Sequence, residues 1–213
     1  MKKEFYRRNL PHYQPLGGTF FVTFNLVEAI PLKVLKEWNK EFKIQKKSIE
    51  LFSSNPAEDL DKLSKQDFAK RDKYLDAAQN GENWLKKDEI AQIVSDSIHF
   101  WDKRIIDLFC FCIMSNHVHL VFRILDINEV DSPKYLDEIM HSIKLFSAKK
   151  CNVVLGKTGQ FWQHESYDRL IRNDDEMIRI LIYVLNNPVK AGLVKSHEEW
   201  KWTYLAERFK SVI

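Results

Sequence analysis

Leu108-Phe-Cys-Phe-Cys-Ile-Met-Ser-Asn-His-Val-His-Leu-Val-Phe122 reads as two short apolar strands joined at a polar turn, Ser115-Asn116. Side chains alternate faces along a strand, so His117 and His119 leave one face while Val118 points to the other. Two neighbouring imidazoles on one face are a ready bidentate site for a divalent metal. The spacing alone is a weak signal. It gains weight from a second element, Ile178-Arg-Ile-Leu-Ile-Tyr-Val-Leu-Asn-Asn-Pro188, which offers a tyrosine and, four residues later, an asparagine. Tyr183 and Asn187 stand one helical turn apart and share a face.

Working outward, Thr19-Phe-Phe-Val-Thr-Phe-Asn25 follows Gly17-Gly18 and is rich in aromatic and β-branched residues, the composition of a first strand. From Pro31 the period changes: Leu32, Leu35, Trp38 and Phe42 recur at helical spacing with lysines between them. The stretch from about 48 to 80 is acidic and poor in β-branched residues, and reads as a helical excursion from the main sheet. Glu89 to Ile98 is helical again. Ser132-Pro133 predicts the opening of a further helix with proline at its first position. Leu136, Ile139, Met140, Ile143 and Phe146 form its apolar stripe, and Lys144, Lys149 and Lys150 lie off it. Gln160 to Ile171 reads as one or two strands. Asn173 or Asp174 then caps a helix with acids in its first turn, and Pro188 predicts its stop near Asn186 or Asn187. The order suits an α+β fold, an antiparallel sheet with helices on one side.

Composition narrows the class. The chain has 213 residues, 45% of them apolar, enough for an ample core. No apolar run approaches the roughly 20 residues that span a bilayer. The N-terminal residues carry no apolar signal region, and three cysteines (Cys110, Cys112 and Cys151) make no disulfide framework. Reduced thiols in a cytoplasmic protein are expected. The net charge of +3 hides an asymmetry. Residues 1–49 hold ten Lys/Arg against four Asp/Glu, whereas residues 50–100 hold seven against eleven. The basic segment around Arg7 and Arg8 can supply phosphate contacts, although such a run is more often a solvated face.

If the Tyr183 face packs beside the histidine face, one site holds two imidazoles, an amide oxygen and a phenol. That inventory suits phosphodiester cleavage by transesterification, in which a metal polarises the phosphate and the phenol attacks it. A free phenol titrates near 10, so its ionisation needs help. Bland readings stand beside this one. The histidines would then be edge-strand residues without metal, and Tyr183 a core tyrosine flanked by Ile180 and Val184. A zinc hydrolase would need a third ligand, and His164 is the candidate. Tyr167, beside Asp168, is the rival nucleophile.

The pair Met114-Ser-Asn-His-Val-His-Leu-Val121 and Tyr183-Val-Leu-Asn-Asn-Pro-Val-Lys-Ala-Gly-Leu-Val194 resembles the single-tyrosine HUH transposases, and among them the REP-associated tyrosine transposases. Arg7-Arg-Asn-Leu-Pro-His12, Thr19 to Phe24, Phe161-Trp-Gln163 and Tyr167-Asp-Arg-Leu-Ile-Arg172 agree as well. The resemblance covers most of the chain outside residues 40–85. Ser115 departs from it, since the family commonly has proline there. The resemblance implies a ferredoxin-like (RRM-like) sheet in one domain spanning 1–213, with a helical insertion at about 40–98. It implies His117, His119 and Asn187 as ligands of Mg²⁺ or Mn²⁺, and Tyr183 as nucleophile. It also implies cleavage of single-stranded DNA next to hairpins through a 5′-phosphotyrosine. Arg7, Arg8, Lys144, Lys149 and Lys150 are candidate DNA contacts. A homodimer, with Tyr183 serving its own or a partner's site, is compatible with this reading. The competing class is a nucleic-acid-binding module on the same fold that no longer cuts.

Overall fold

In a computed structural model of the chain, residues 15, 17–125 and 135–213 are described in full, and 5–7 and 11–13 as backbone. Strands β1 (Phe5–Arg7) and β2 (Pro11–Tyr13) pair with each other. The main body then runs β3 (Thr19–Asn25), α1 (Leu32–Phe52), α2 (Pro56–Asp76), α3 (Asp88–His99), β4 (Ile106–Ile113) and β5 (His117–Ile124). It continues with α4 (Leu136–Val154), β6 (Tyr167–Ile171), α5 (Asp174–Lys190) and β7 (Thr203–Leu205). The expected helix start at Ser132-Pro133 lies outside the described residues.

The sheet has the order β6-β3-β5-β4-β7, antiparallel throughout. With α1 and α2 set aside, β3-α3-β4-β5-α4-β6 is a ferredoxin-like unit. Strands β3 and β5 lie side by side near its middle, and their alternation assigns the two faces. Phe20, Val22 and Phe24 join Val118, Leu120 and Phe122 in one core, against Ile90, Val94 and Ile98 of α3 and Ile139 and Ile143 of α4. Phe21 and Val121 face the other way, with Cys110 and Cys112, against Leu181, Val184 and Leu185 of α5. A bulge at Phe109 shifts the β4–β5 register between Leu108 and Cys110, so Phe109 and Cys110 fall on the same face in succession.

The α+β antiparallel sheet is as expected, but "helices on one side" describes α3 and α4 alone. Helix α5 covers the histidine face, and Phe68 of α2 packs there too. The reason is chemical: β3, β4 and β5 present Phe21, Cys110 and Val121 on that face, which is too apolar to leave in water. The helical excursion corresponds to α1 and α2 and begins at Leu32, earlier than the expected 40, while α3 belongs to the layer on the sheet.

Two local features differ from the expected ones, the first beside the histidine face and the second behind the sheet. Pro188 does not stop the last helix, which runs on to Lys190. A proline so near the end removes one donor from the ladder, and Ala191 N–H to Asn187 O (2.9 Å) and Leu193 N–H to Pro188 O (2.9 Å) close the final turn. Gly192, with φ +69°, ends it. On α4 the expected stripe residue Phe146 is 47% exposed, and Ser147 is buried instead. Ser147 Oγ accepts from Trp162 Nε1 at 2.9 Å, which satisfies an indole that would otherwise be stranded in the core.

Candidate metal centre

The sheet register builds the site as a row across one face. Thr23 pairs with Tyr167 of β6 on one side and His119 of β5 on the other, and His119 pairs with Cys112 of β4. Asn25 stands opposite His117. Nε2 of His117 and Nε2 of His119 point at each other, 3.1 Å apart. Both rings are fully buried.

Each imidazole is held from behind. His117 Nδ1 donates to Asn116 Oδ1 at 2.7 Å, and Asn116 Nδ2 donates to the Leu75 carbonyl near the end of α2 at 3.2 Å. That fixes the His117 tautomer with its Nε2 lone pair free. His119 Nδ1 meets the Thr23 hydroxyl at 2.8 Å. A hydroxyl donates or accepts, so Thr23 serves both tautomers of His119. With no cation present, His119 Nε2–H donates to His117. With a cation, both nitrogens turn lone pairs to it. The turn Ser115-Asn116 was expected to be polar and it is, yet it is buried, because Asn116 is part of this support.

The third donor comes from the helical excursion. Asp72 of α2 brings Oδ1 to 3.3 Å from His119 Nε2, and His117, His119 and Asp72 present ligand atoms that all lie within 4.8 Å. Asp76, one turn on, places Oδ1 3.8 Å from His117 Nε2. Lys190 reaches both acids, 2.6 Å from Asp72 Oδ2 and 2.9 Å from Asp76 Oδ2. The Tyr183 ring lies 5.7 Å from His119 between centroids. Asn187 is fully buried and donates Nδ2 to the Tyr183 carbonyl at 2.9 Å.

Among the described residues, several buried oxygens here lack a hydrogen-bond partner: Asp72 Oδ1, Asp76 Oδ1, Tyr183 Oη and Asn187 Oδ1, while Asp76 Oδ2 is held by Lys190. Orphaned acceptors gathered around two inward-facing imidazoles fit a divalent cation, since each would otherwise carry a desolvation penalty. Mixed nitrogen and oxygen donors suit Mn²⁺, Mg²⁺ or Zn²⁺.

The electrostatics are consistent with that fit. Burial, and then the neighbouring His119, push the His117 imidazole well below its ordinary range, so it is neutral and able to ligate. Burial would raise the Asp72 carboxyl, but His119 and Lys190 outweigh it and hold Asp72 well below the carboxylate range. Asp76 is raised, by burial and then by Asp72. Burial and the Asp72 charge push the Tyr183 phenol far up. Burial lifts the Cys112 thiol to about 12, so it stays protonated beside the cluster.

Of the residues singled out in the sequence, His117, His119, Tyr183 and Asn187 belong to this region. His164, the candidate third ligand of the alternative zinc site, is not in the cluster, and Asp72 joins the two histidines there. Asp72 was missed because it falls in the excursion. Its signal was an acid on the apolar stripe of Leu63, Phe68 and Leu75, which calls for a buried partner. Tyr167 sits two strands from His119, with its ring 4.5 Å from Phe68. Lys149 and Lys150 are exposed on α4, behind the sheet, and Lys150 lies over the Phe146 ring. Lys144 donates to the carbonyls of Gln163 and His164. Arg8 and the Arg7 side chain lie outside the described residues.

Comparison with known proteins agrees with this architecture. No family model matches the chain. A curated Haemophilus influenzae protein, assigned by name to the REP-associated tyrosine transposases, is 26% identical over 110 residues, 48% of this chain. The match spans 60% of that relative's length. A solved structure described as a REP-associated tyrosine transposase bound to a REP hairpin superposes with a TM-score of 0.54 at 18% identity. It covers 95% of this chain and 82% of its own. In sequence over about half its length, and in fold over nearly all of it, the chain is similar to REP-associated tyrosine transposases.

Proposed function

We propose that this chain is a metal-dependent DNA strand transferase that cuts single-stranded DNA beside hairpins, with Tyr183 as nucleophile. The observation that carries this reading is the Tyr183 phenol beside the buried His117, His119 and Asp72 cluster. His117, His119 and Asp72 would hold Mn²⁺ or Mg²⁺, and Asn187 Oδ1 is a further donor. The ion, when bound, supplies Lewis-acid polarisation of the scissile phosphate.

The chain's own residues do the rest. Helix α5 holds the phenol in place, and the Tyr183 ring packs edge-on against the Phe21 and Phe68 rings, which also touch each other. The phenolic oxygen forms a bond to phosphorus as the bond to the 3′ oxygen breaks. The phenol gives up its proton and the departing 3′ oxygen takes one, so the balance closes with a 5′-phosphotyrosine and a free 3′-hydroxyl. The retained phosphoester allows rejoining without a nucleotide cofactor. Asp72 and Asp76 oppose ionisation of Tyr183 as long as their charge faces it, so the phenol stays protonated until cation and substrate arrive.

One observation favours an inert binding module on the same fold: Lys190 already neutralises Asp72 and Asp76. The two readings separate on His117→Ala. In Mn²⁺, with a hairpin-bearing single strand, the parent should cleave and this variant should not, while both bind in EDTA. Equal cleavage by both would sink the ligand assignment, and no cleavage by the parent would favour the binding module. The partner class is tested with a salt series. Hairpin strands should bind more tightly than a random duplex of the same length, with affinity falling as salt rises.

A further inference from the structure

The function proposed above leaves one prominent surface unexplained. Lys36, Lys40, Lys43 and Lys47 recur at four, three and four residues along α1, so they form one face of the helix. At 1.5 Å per residue the row spans about 16 Å. All four are exposed. Among the described residues none of them has an ion-pair partner, whereas Glu41 and Lys46, off the row, pair with Lys70 and Glu50.

The row edges a cleft of about 780 Å³ between α1, α2, the Gln163 to Ser166 loop and Tyr167 at the start of β6. Its apolar surface includes Leu35, Leu75 and the adjoining rings of Phe68 and Tyr167. Its inner end is made by Thr23, Asn25 and Asp72. The cleft therefore opens onto the cation donor Asp72 and the hydroxyl that supports His119. Acids are few along it: Asp72, which is held by Lys190, and Glu165.

We infer that this cleft is the path of the single-stranded DNA arm into the metal centre, with the α1 lysines on the phosphates and Phe68 and Tyr167 under the bases. The inference rests on the DNA reading of the site. A row of unpaired cations calls for a polyanion, and an aromatic floor favours unstacked bases over a closed duplex. Pockets of about 300–1,000 Å³ enclose one drug-sized molecule, so this cleft has room for a single strand and not for a duplex, and the lysine row follows that strand along the rim. It also gives the excursion two tasks, one acid for the cation and one wall for the strand.

The test uses the full chain in EDTA, where no chemistry occurs, and a fluorescent DNA hairpin with and without a short thymine arm. The parent should prefer the armed hairpin. The combined Lys36→Ala, Lys40→Ala, Lys43→Ala and Lys47→Ala variant should lose that preference. Its slope of log affinity against log salt should fall by about 3, at about 0.7 for each phosphate no longer neutralised. The matching four-arginine variant should keep both, which excludes a folding defect. An unchanged arm preference in the alanine variant would overturn the path, as would equal losses on armed and bare hairpins. The Tyr183 adduct is scored separately in Mn²⁺. No adduct with a reduced slope refutes the chemistry and keeps the path. An adduct with unchanged slope and arm preference refutes the path and keeps the chemistry.

Discussion

The two faces of the sheet are built from alternate residues of the same strands, yet they solve different problems. On the α3/α4 face, Val118, Leu120 and Phe122 meet Val94, Ile98, Ile139 and Ile143, an apolar core. On the α5/α2 face the intervening His117 and His119 meet Asp72, Asp76, Lys190 and Tyr183. The first face stabilises the fold by burial. The second gives up packing energy to keep polar groups dry and aimed at one point, an arrangement found where a site has a task. A mutation on the first face should therefore read out in stability alone, and one on the second in cation binding.

The largest expected effect is on the packed face. Phe122→Ala removes a fully buried ring and should lower unfolding free energy by about 3–5 kcal/mol. The added stability conferred by Mn²⁺ should be unchanged. Urea unfolding with and without the ion checks both statements. If Phe122→Ala abolished the Mn²⁺ response while still folded, the two faces would not be separable.

On the other face, Asp72→Asn keeps the shape and removes the acid. At Mn²⁺ a hundredfold above Kd, the parent should gain about 2.7 kcal/mol, by mass action on the folded state. Asp72→Asn should gain little at the same concentration. An equal gain would remove Asp72 from the ligand set. Thr23→Val should act more gently. It deletes the hydroxyl behind His119, and removing a support of this kind lowers metal affinity about 10–100-fold. Isothermal titration of Mn²⁺ measures it, and an unchanged affinity would mean that packing alone orients His119.

The smallest effect is a pH dependence that only the histidine face should show. His117 titrates well below 6.5 when folded, so the unfolded chain binds more protons in acid. Its contribution to stability is present above about 6.5 and is lost as pH falls toward the folded value. In EDTA, stability should decline with acid from that point, and His117→Gln should flatten the decline. An identical pH slope in that variant would show that His117 is not the group responsible.

These contrasts also explain what could be read from the sequence. The β4–β5 hairpin was legible because two short apolar runs, Leu108 to Met114 and His117 to Phe122, flank the polar turn Ser115-Asn116. Tyr183 and Asn187 were legible as a pair because helix geometry is local. Asp72 was not, since its meeting with His119 depends on how a 21-residue helix returns over the sheet. Lys190 escaped notice with the expected stop at Pro188, because the final turn is held by hydrogen bonds beyond the proline. The second helical layer was missed for a related reason: Phe21, Val121 and Cys110 are scattered over three strands, and their sum as an apolar face appears only once the register is set.

The central claim is that Tyr183 makes a covalent bond to DNA at the cluster of His117, His119 and Asp72. The most direct measurement is peptide mass spectrometry on a denaturation-resistant adduct, formed with a hairpin-bearing single strand in Mn²⁺ and compared among the parent, Tyr183→Phe and Tyr167→Phe. The predicted result is a nucleotide mass on the peptide containing Tyr183, with an adduct in the parent and in Tyr167→Phe and none in Tyr183→Phe. An adduct that persists in Tyr183→Phe and disappears in Tyr167→Phe would contradict the claim.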